Sequence, residues 1–222
     1  MKLAALISGG KDSSFAIYKA LQNGHEVTDL VTIIPANEDS YMFHSANIHL
    51  TELIADACGI PLTSQISTGE KEKELKDLKK ALSQLNIDGV IVGAIESEYQ
   101  ASRVRRICAE RGIKMYAPLW HMESEKLLRE MTKLMDIRMV KVAAAGMDES
   151  WLGRRFDDKL IEDLKALNRK YRVHIAGEGG EYESLVLDAP FYRKRIDLLK
   201  IRNIWKGDHG IMKVVAAQLN EK

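Results

Sequence analysis

The sequence predicts an α/β protein: a doubly wound, five-stranded parallel sheet, followed by a smaller mixed α/β domain. Three observations carry this. Up to Ala117, apolar runs alternate with amphipathic stretches in a βαβαβαβαβ order, which implies a parallel sheet with right-handed crossovers. The first run, Leu3 to Ile7, is uninterrupted, as suits a strand buried on both faces. From Pro118 the alternation stops and strand-forming runs gather toward the end. The expected domains are therefore residues 1–120 and 121–222.

After the first strand, residues 8 to 14 (Ser-Gly-Gly-Lys-Asp-Ser-Ser) read as a loop that grips phosphate. Phe15, Ala16, Ala20 and Leu21 then keep a helical spacing, stopped by Asn23-Gly24. A strand, a glycine turn and a helix N-terminus gather free N–H groups and the positive end of the helix dipole at one point, which attracts an anion. Gly9 and Gly10 admit close backbone approach, Lys11 adds a mobile positive charge, and Ser8, Ser13 and Ser14 add hydroxyl donors. Two familiar phosphate loops fail on spacing. The Walker A pattern needs a glycine where Ala5 stands and a Ser or Thr where Asp12 stands. The dinucleotide pattern needs three spaced glycines, and only the adjacent pair is present.

The second strand is read from Glu26 to Ile34, and Pro35 to Ser40 is a loop by composition. Ser45 is a candidate cap for a helix carrying Ile48, Leu53, Ile54 and Ala57, which Gly59 ends. Pro61 to Ile66 is a third strand. Glu70 to Leu85 is a charged helix with a single leucine stripe, its Glu and Lys residues forming a solvated face. Asp88 to Ile95 reads as a fourth strand, Glu98 to Arg111 as a helix, and Lys114 to Tyr116 as a brief fifth strand. Ligands of such sheets sit beyond the carboxyl ends of the strands, where the order reverses. The glycine loop, the loop after Ile34 and the turn Gly93-Ala94-Ile95 all lie there and can meet at one nucleotide. Beyond a hinge at Pro118 to His121, helices are expected at 124–135 and 157–171. A strand-forming stretch at 137–145 and strands at 182–187, 194–204 and 211–219 complete the second domain.

Composition narrows the function. With 45% apolar and 29% charged residues the chain has the balance of a soluble globular protein. A net charge of +1 argues against a general nucleic-acid surface, so no stable nucleic-acid binding is expected. Cys58 and Cys108 form no CxxC pair, and the six histidines show no zinc spacing. No apolar run approaches the ~20 residues of a membrane span and the apolar start is too short for a signal peptide, so no membrane partner and a cytoplasmic address are expected.

In the second domain, Gly177-Glu178-Gly179-Gly180-Glu181-Tyr182-Glu183-Ser184 stands out. Its acids would repel phosphates, so it is not a second phosphate loop; carboxylates around an aromatic ring suit a positively charged substrate. An exposed hairpin turn is the plainer alternative.

Ser-Gly-Gly-x-Asp-Ser at 8–13 resembles the PP-loop of the N-type ATP pyrophosphatases, whose sheet is HUP-like. Together with Gly93-Ala94-Ile95, Tyr99-Gln100, Arg103, Pro118-Leu119-Trp120 and the acidic glycine motif, it resembles the diphthine–ammonia ligase (diphthamide synthetase) family over nearly the whole chain. Ser184 stands where that family more often has threonine, which keeps the hydroxyl. The resemblance implies a ligase with ATP and Mg²⁺ as cofactors. Such an enzyme adenylates the carboxylate of diphthine on translation elongation factor 2, releases pyrophosphate, and lets ammonia displace AMP. It implies that Ser8, Gly9, Gly10, Lys11, Asp12, Ser13 and Ser14 hold the ATP phosphates. Lys11 would neutralise the leaving pyrophosphate, and Asp12 would orient the metal. Ile33, His44, Gly93 and Ala94 are weaker candidates around adenine and ribose. Tyr99, Gln100 and Arg103 would serve the substrate, with Arg103 as a bidentate anion holder. Glu178, Glu181, Tyr182 and Glu183 would receive its trimethylammonium end, with Gly179, Gly180 and Ser184 also binding the substrate. The phosphate cradle and the acidic loop are then expected to share a cleft. Arg105 and Arg106 read as a docking patch or a solvated face, and Trp120 and Trp151 as cleft walls or, more simply, core. Free ammonia is the expected nitrogen donor, because no glutaminase segment is apparent. A homodimer is compatible with the sequence. The alternatives are a PP-loop tRNA-modifying enzyme and a non-catalytic adenine-nucleotide-binding module.

Overall fold

The protein is described from a computed structural model covering residues 1–35, 46–67 and 71–222, without the side chains of 71–73 and 100. By contacts between Cα atoms the chain divides into Met1–Trp120 and His121–Lys222.

The first unit holds a five-stranded sheet in the order β3-β2-β1-β4-β5, with all pairs parallel. The strands are β1 (Lys2–Leu6), β2 (Glu26–Pro35), β3 (Leu62–Ser67), β4 (Gly89–Ile91) and β5 (Lys114–Tyr116), and the helices α1 (Lys11–Gln22), α2 (Thr51–Cys58), α3 (Lys71–Ser83) and α4 (Glu98–Arg111). The chain steps outward from β1 to β3, then returns to place β4 on the other side of β1. The order therefore reverses between β1 and β4, which is where an open α/β sheet binds ligands. One face of the sheet is covered by α3 and α4: Leu78, Leu82, Val104, Ile107 and Cys108 close over Ala4, Val31, Ile33, Val90 and Val92. Strand alternation turns Leu3 and Ala5 to the opposite face. Helix α1 packs against β1, β2 and β4 and buries Phe15, Ala16, Ile17 and Ala20.

Three elements differ from the sequence reading. The apolar run Asp88 to Ile95 pairs as strand only over Gly89–Ile91, although Val92, Ala94 and Ile95 are buried beyond it. Helix α1 begins at Lys11, so only Ser8 to Gly10 are loop. The helix expected from Ile48 opens as a 3₁₀ turn, Ile48–Leu50, before α2 begins at Thr51. The candidate cap Ser45 lies outside the described residues.

The second unit is an antiparallel sheet in the order β7-β6-β9-β8. Its elements are α5 (Ser124–Leu134), β6 (Asp136–Val142), α6 (Asp158–Tyr171), β7 (Tyr182–Asp188), β8 (Arg195–Lys206) and β9 (His209–Asn220). Helix α5 is capped by the Glu123 carboxylate, which accepts from the Glu125 and Lys126 N–H groups. Helix α6 is capped by Asp157, which accepts from Leu160 N. The two helices pack together, and their buried stripes are Leu127, Leu128 and Met131 on α5 and Leu160, Ile161 and Leu164 on α6. Among the described residues no helix is long and apolar enough to cross a membrane.

Candidate functional site

The glycine loop leaves β1 and enters α1 through Gly9, whose φ of +83° lies where a side chain would be strained. Gly10 is the N-cap and has no side chain to offer the helix, so no side-chain cap occupies this end. Helix geometry leaves the N–H groups of Lys11, Asp12 and Ser13 without intrahelical acceptors, while Ser14 N donates to Gly10 O at 3.2 Å. The loop is laced by its serines. Ser13 Oγ donates to Gly10 O at 3.1 Å, lies 3.4 Å from Ser8 Oγ and accepts from Ser8 N at 3.4 Å; Ser8 Oγ in turn accepts from Gly10 N at 3.4 Å. Ser8 and Ser13 therefore shape the turn. Lys11 is almost wholly buried and its ammonium donates to Asp12 Oδ2 at 2.8 Å. The other Asp12 oxygen, Oδ1, is buried with no hydrogen-bond partner among the described residues, as is Ser14 Oγ.

The structure brings Gly93, at the carboxyl end of β4, against this first turn. A Cβ on Gly93 would lie 2.7 Å from both Asp12 C and Ser13 N. The loop after β4 thus meets the first turn of α1 backbone to backbone at the switch point. Ala94 and Ile33 are buried in the α3–α4 core cluster, so what they can offer a ligand is main chain. His44 lies outside the described residues.

On α4, the Arg103 guanidinium carbon sits 3.5 Å from the centroid of the Tyr99 ring, one turn earlier, and Nη1 donates to Tyr99 O at 3.2 Å. Arg103 Nε is buried with no hydrogen-bond partner among the described residues. Stacking and a backbone bond hold the fork still, as bidentate anion recognition requires. Gln100 lies on the same helix. Arg105 is 3.9 Å from Glu98 and Arg106 pairs with Glu110 at 3.1 Å, so both form intrahelical pairs on a solvated face. Trp120 packs against the first unit's core, and Trp151 is buried beneath the Arg154 guanidinium at 4.4 Å.

In the second unit the acidic glycine motif forms the turn entering β7. The Glu181 carboxylate accepts from His174 N through Oε1 and from Gly179 N through Oε2, both at 2.8 Å. His174 Nδ1 accepts from Ala176 N at 3.2 Å and, more weakly, from Glu178 N at 3.5 Å. Tyr182 is buried, packs on Phe156 at 5.7 Å between ring centroids, and donates its hydroxyl to Ile175 O at 2.7 Å. Gly177, with φ +76°, lies over the Tyr182 ring, where a Cβ would come within 2.9 Å. Glu183 pairs with Lys141 on β6 at 2.7 Å. Ser184 follows on β7, and Gly180 turns the chain with φ +83°. Three of the predicted residues are thus committed within the unit: Tyr182 by burial, Glu181 by its two accepted bonds, and Glu183 by its ion pair. Glu178 is the half-buried third acid. The residue that motif reading missed is His174. A search for metal spacing does not find a histidine that serves as a backbone acceptor.

Cys58 and Cys108 are free and buried, and burial pushes the Cys108 thiol up to about 11 against the opposing pull of Arg111. A thiol so protonated is a poor nucleophile at neutral pH. Among the described residues no cluster of three or more metal-ligating side chains occurs.

The first unit thus carries a glycine turn opening a helix at the switch point of its parallel sheet, and the second carries an acidic glycine turn at the start of β7. Residues 1–115 match the family profile described as the diphthamide synthase N-terminal domain, and residues 123–219 match that of the C-terminal domain. The human diphthine–ammonia ligase is 36% identical over 220 residues, covering 88% of this chain and 82% of the relative. The zebrafish (Danio rerio) protein of the same name is 36% identical over 219 residues, covering 88% and 86%. The Schizosaccharomyces pombe relative is 35% identical over 219 residues, with 36% of its own length covered. A solved structure described as a predicted subunit of tRNA methyltransferase, from Methanocaldococcus jannaschii, overlaps 86% of this chain and 98% of its own at 14% identity and a TM-score of 0.47. The chain belongs to the diphthine–ammonia ligase (diphthamide synthase) family, whose members are ligases that close a carbon–nitrogen bond.

Proposed function

We propose that this protein amidates diphthine on translation elongation factor 2, with ATP as the activating nucleotide, Mg²⁺ as its counter-ion and free ammonia as the nitrogen donor. The observation that carries the reading is the approach of Gly93 to the Asp12–Ser13 backbone, which gathers N–H donors from α1 at the switch point of a chain matched to the family over both units.

In this reading the first turn of α1 takes the phosphates. The N–H groups of Lys11, Asp12 and Ser13 stand where an anion gains both hydrogen bonds and the helix dipole. Lys11, buried and held beside Asp12, faces the charge that grows on departing pyrophosphate, the electrostatic contribution that dominates such transfers. Asp12 Oδ1 has no hydrogen-bond partner among the described residues and suits Mg²⁺, which prefers one or two carboxylates with phosphate and water. The ion would spread charge from the phosphate oxygens. Arg103, stacked on Tyr99, orients the substrate carboxylate for attack on the α-phosphorus. The adenylated carboxyl then meets neutral ammonia, which forms the amide as AMP leaves. The acidic turn of the second unit receives the trimethylammonium end by Coulomb attraction, with Glu178 as its principal acid, and thereby sets which histidine derivative is accepted.

The test is mass spectrometry of diphthine-bearing elongation factor 2 after incubation with the protein, ATP and an ammonium salt. Conversion of the carboxylate to the amide, with AMP and pyrophosphate formed only when factor and ammonia are both present, is the expected result. ATP turnover independent of the factor would refute it.

A further inference from the structure

The acidic turn is organised around a side chain that no substrate role explains. His174 precedes the motif, and both of its backbone groups and its ring serve the turn. Its N–H donates to Glu181 Oε1 at 2.8 Å, its carbonyl accepts from Gly177 N at 3.0 Å, and its Nδ1 accepts from Ala176 N at 3.2 Å and Glu178 N at 3.5 Å. Two N–H donors facing Nδ1 assign the ring proton to Nε2. A side-chain acceptor bonded to the N–H two residues on is the pattern of an Asx-turn, here built by an imidazole in place of a carboxamide. Glu181 completes the arrangement from the far end by accepting from Gly179 N. The backbone of residues 174–181 is thus pinned at both ends, and Glu178 stands on the pinned segment.

We propose that His174 is a positioning residue for substrate recognition: its Nδ1 fixes the Ala176–Glu178 backbone and so sets where the Glu178 carboxylate meets the cationic end of the substrate. This rests on the reading above that the turn receives that cation. His174 touches no reacting atom and acts through Glu178 and Glu181. Loss of its acceptor therefore weakens binding of the protein substrate and leaves the nucleotide half of the reaction untouched.

Two substitutions separate the acceptor from the ring. Asn at this position places Oδ1 close to where Nδ1 stands and can rebuild the turn, whereas Phe keeps the ring and removes the acceptor. Steady-state amidation by the full chain should show His174→Phe raising KM for diphthine-bearing elongation factor 2 by about tenfold, the factor expected for loss of one ordering hydrogen bond. KM for ATP should stay unchanged, and His174→Asn should stay within about twofold of wild type. Backbone hydrogen exchange on the free protein should report faster exchange at Ala176 and Glu178 in His174→Phe only. An unchanged factor KM in His174→Phe, or equal impairment of both variants, overturns the proposal. If the wild-type protein fails to amidate the factor, the substrate reading falls. Unaltered exchange at Ala176 and Glu178 in His174→Phe would then refute the positioning role independently.

Discussion

Replacing Gly93 by alanine tests the switch-point site most directly. The new methyl would lie 2.7 Å from Asp12 C and Ser13 N and 2.9 Å from Asp12 O, all backbone atoms in the first turn of α1. Non-bonded heavy atoms settle at about 3.5–4.0 Å, so the helix start and the β4 exit must part by roughly 1 Å. No flexible side chain can yield instead. Overpacking of this kind costs about 1–3 kcal/mol. For a unit of this size that lowers Tm by about 4–12 °C. The same shift moves the N–H groups of Asp12 and Ser13 away from a bound phosphate, and loss of one charge-assisted bond, about 1.5–3 kcal/mol, weakens ATP by roughly ten- to a hundredfold. Thermal unfolding followed by fluorescence and titration calorimetry with ATP measure the two effects separately. A Gly93→Ala protein with Tm within about 1 °C of wild type and unaltered ATP affinity would refute the reasoning.

Further expectations follow from single features. Lys11→Ala should cut pyrophosphate release by about 10²–10³-fold with the fold intact by circular dichroism, since on the proposed function it removes the charge that stabilises the leaving group. Tyr182→Phe keeps the packing on Phe156 but strands Ile175 O, so urea unfolding should show a loss of about 1 kcal/mol; no loss would mean that the hydroxyl contributes nothing to the turn. The Cys108 thiol, raised by burial from 9.0 to about 11, stays protonated in the native state where the unfolded chain ionises. Its contribution is therefore fully present below about pH 9 and lost as pH rises toward about 11, at most about 2–3 kcal/mol. Urea midpoints across that range should fall, and Cys108→Ala should flatten part of the fall. Amidation should rise with pH through the neutral to mildly alkaline range as ammonium gives up its proton, and a flat profile in a chemistry-limited assay would count against direct ammonia attack.

Much of this was legible in the residues. The strand–glycine–helix start, the parallel five-stranded sheet implied by βαβ alternation, and the glycine at the end of β4 follow from apolar runs and turn chemistry. What failed did so for physical reasons. Apolarity reports burial and says nothing of pairing, so Val92 to Ile95 read as strand although only Gly89–Ile91 pair with β1 and β5. Composition reports that Glu181 carries charge without revealing that both oxygens are spent on N–H groups. Side chain-to-backbone bonds are written in Asn, Asp, Ser and Thr often enough to be anticipated, and in histidine too rarely, which is why His174 passed unremarked.

The turn entering β7 contains three glycines, the residues with most freedom to lose. Freezing a residue costs about 1–2 kcal/mol in conformational entropy, so a slack loop of this composition would surrender much of any binding energy to becoming ordered. Here the imidazole, the carboxylate of Glu181 and the phenol of Tyr182 do that ordering as the unit folds. On the proposed function, a cation reaching the turn would meet a backbone already held by these bonds, and more of the free energy of association would be left for telling one cation from another.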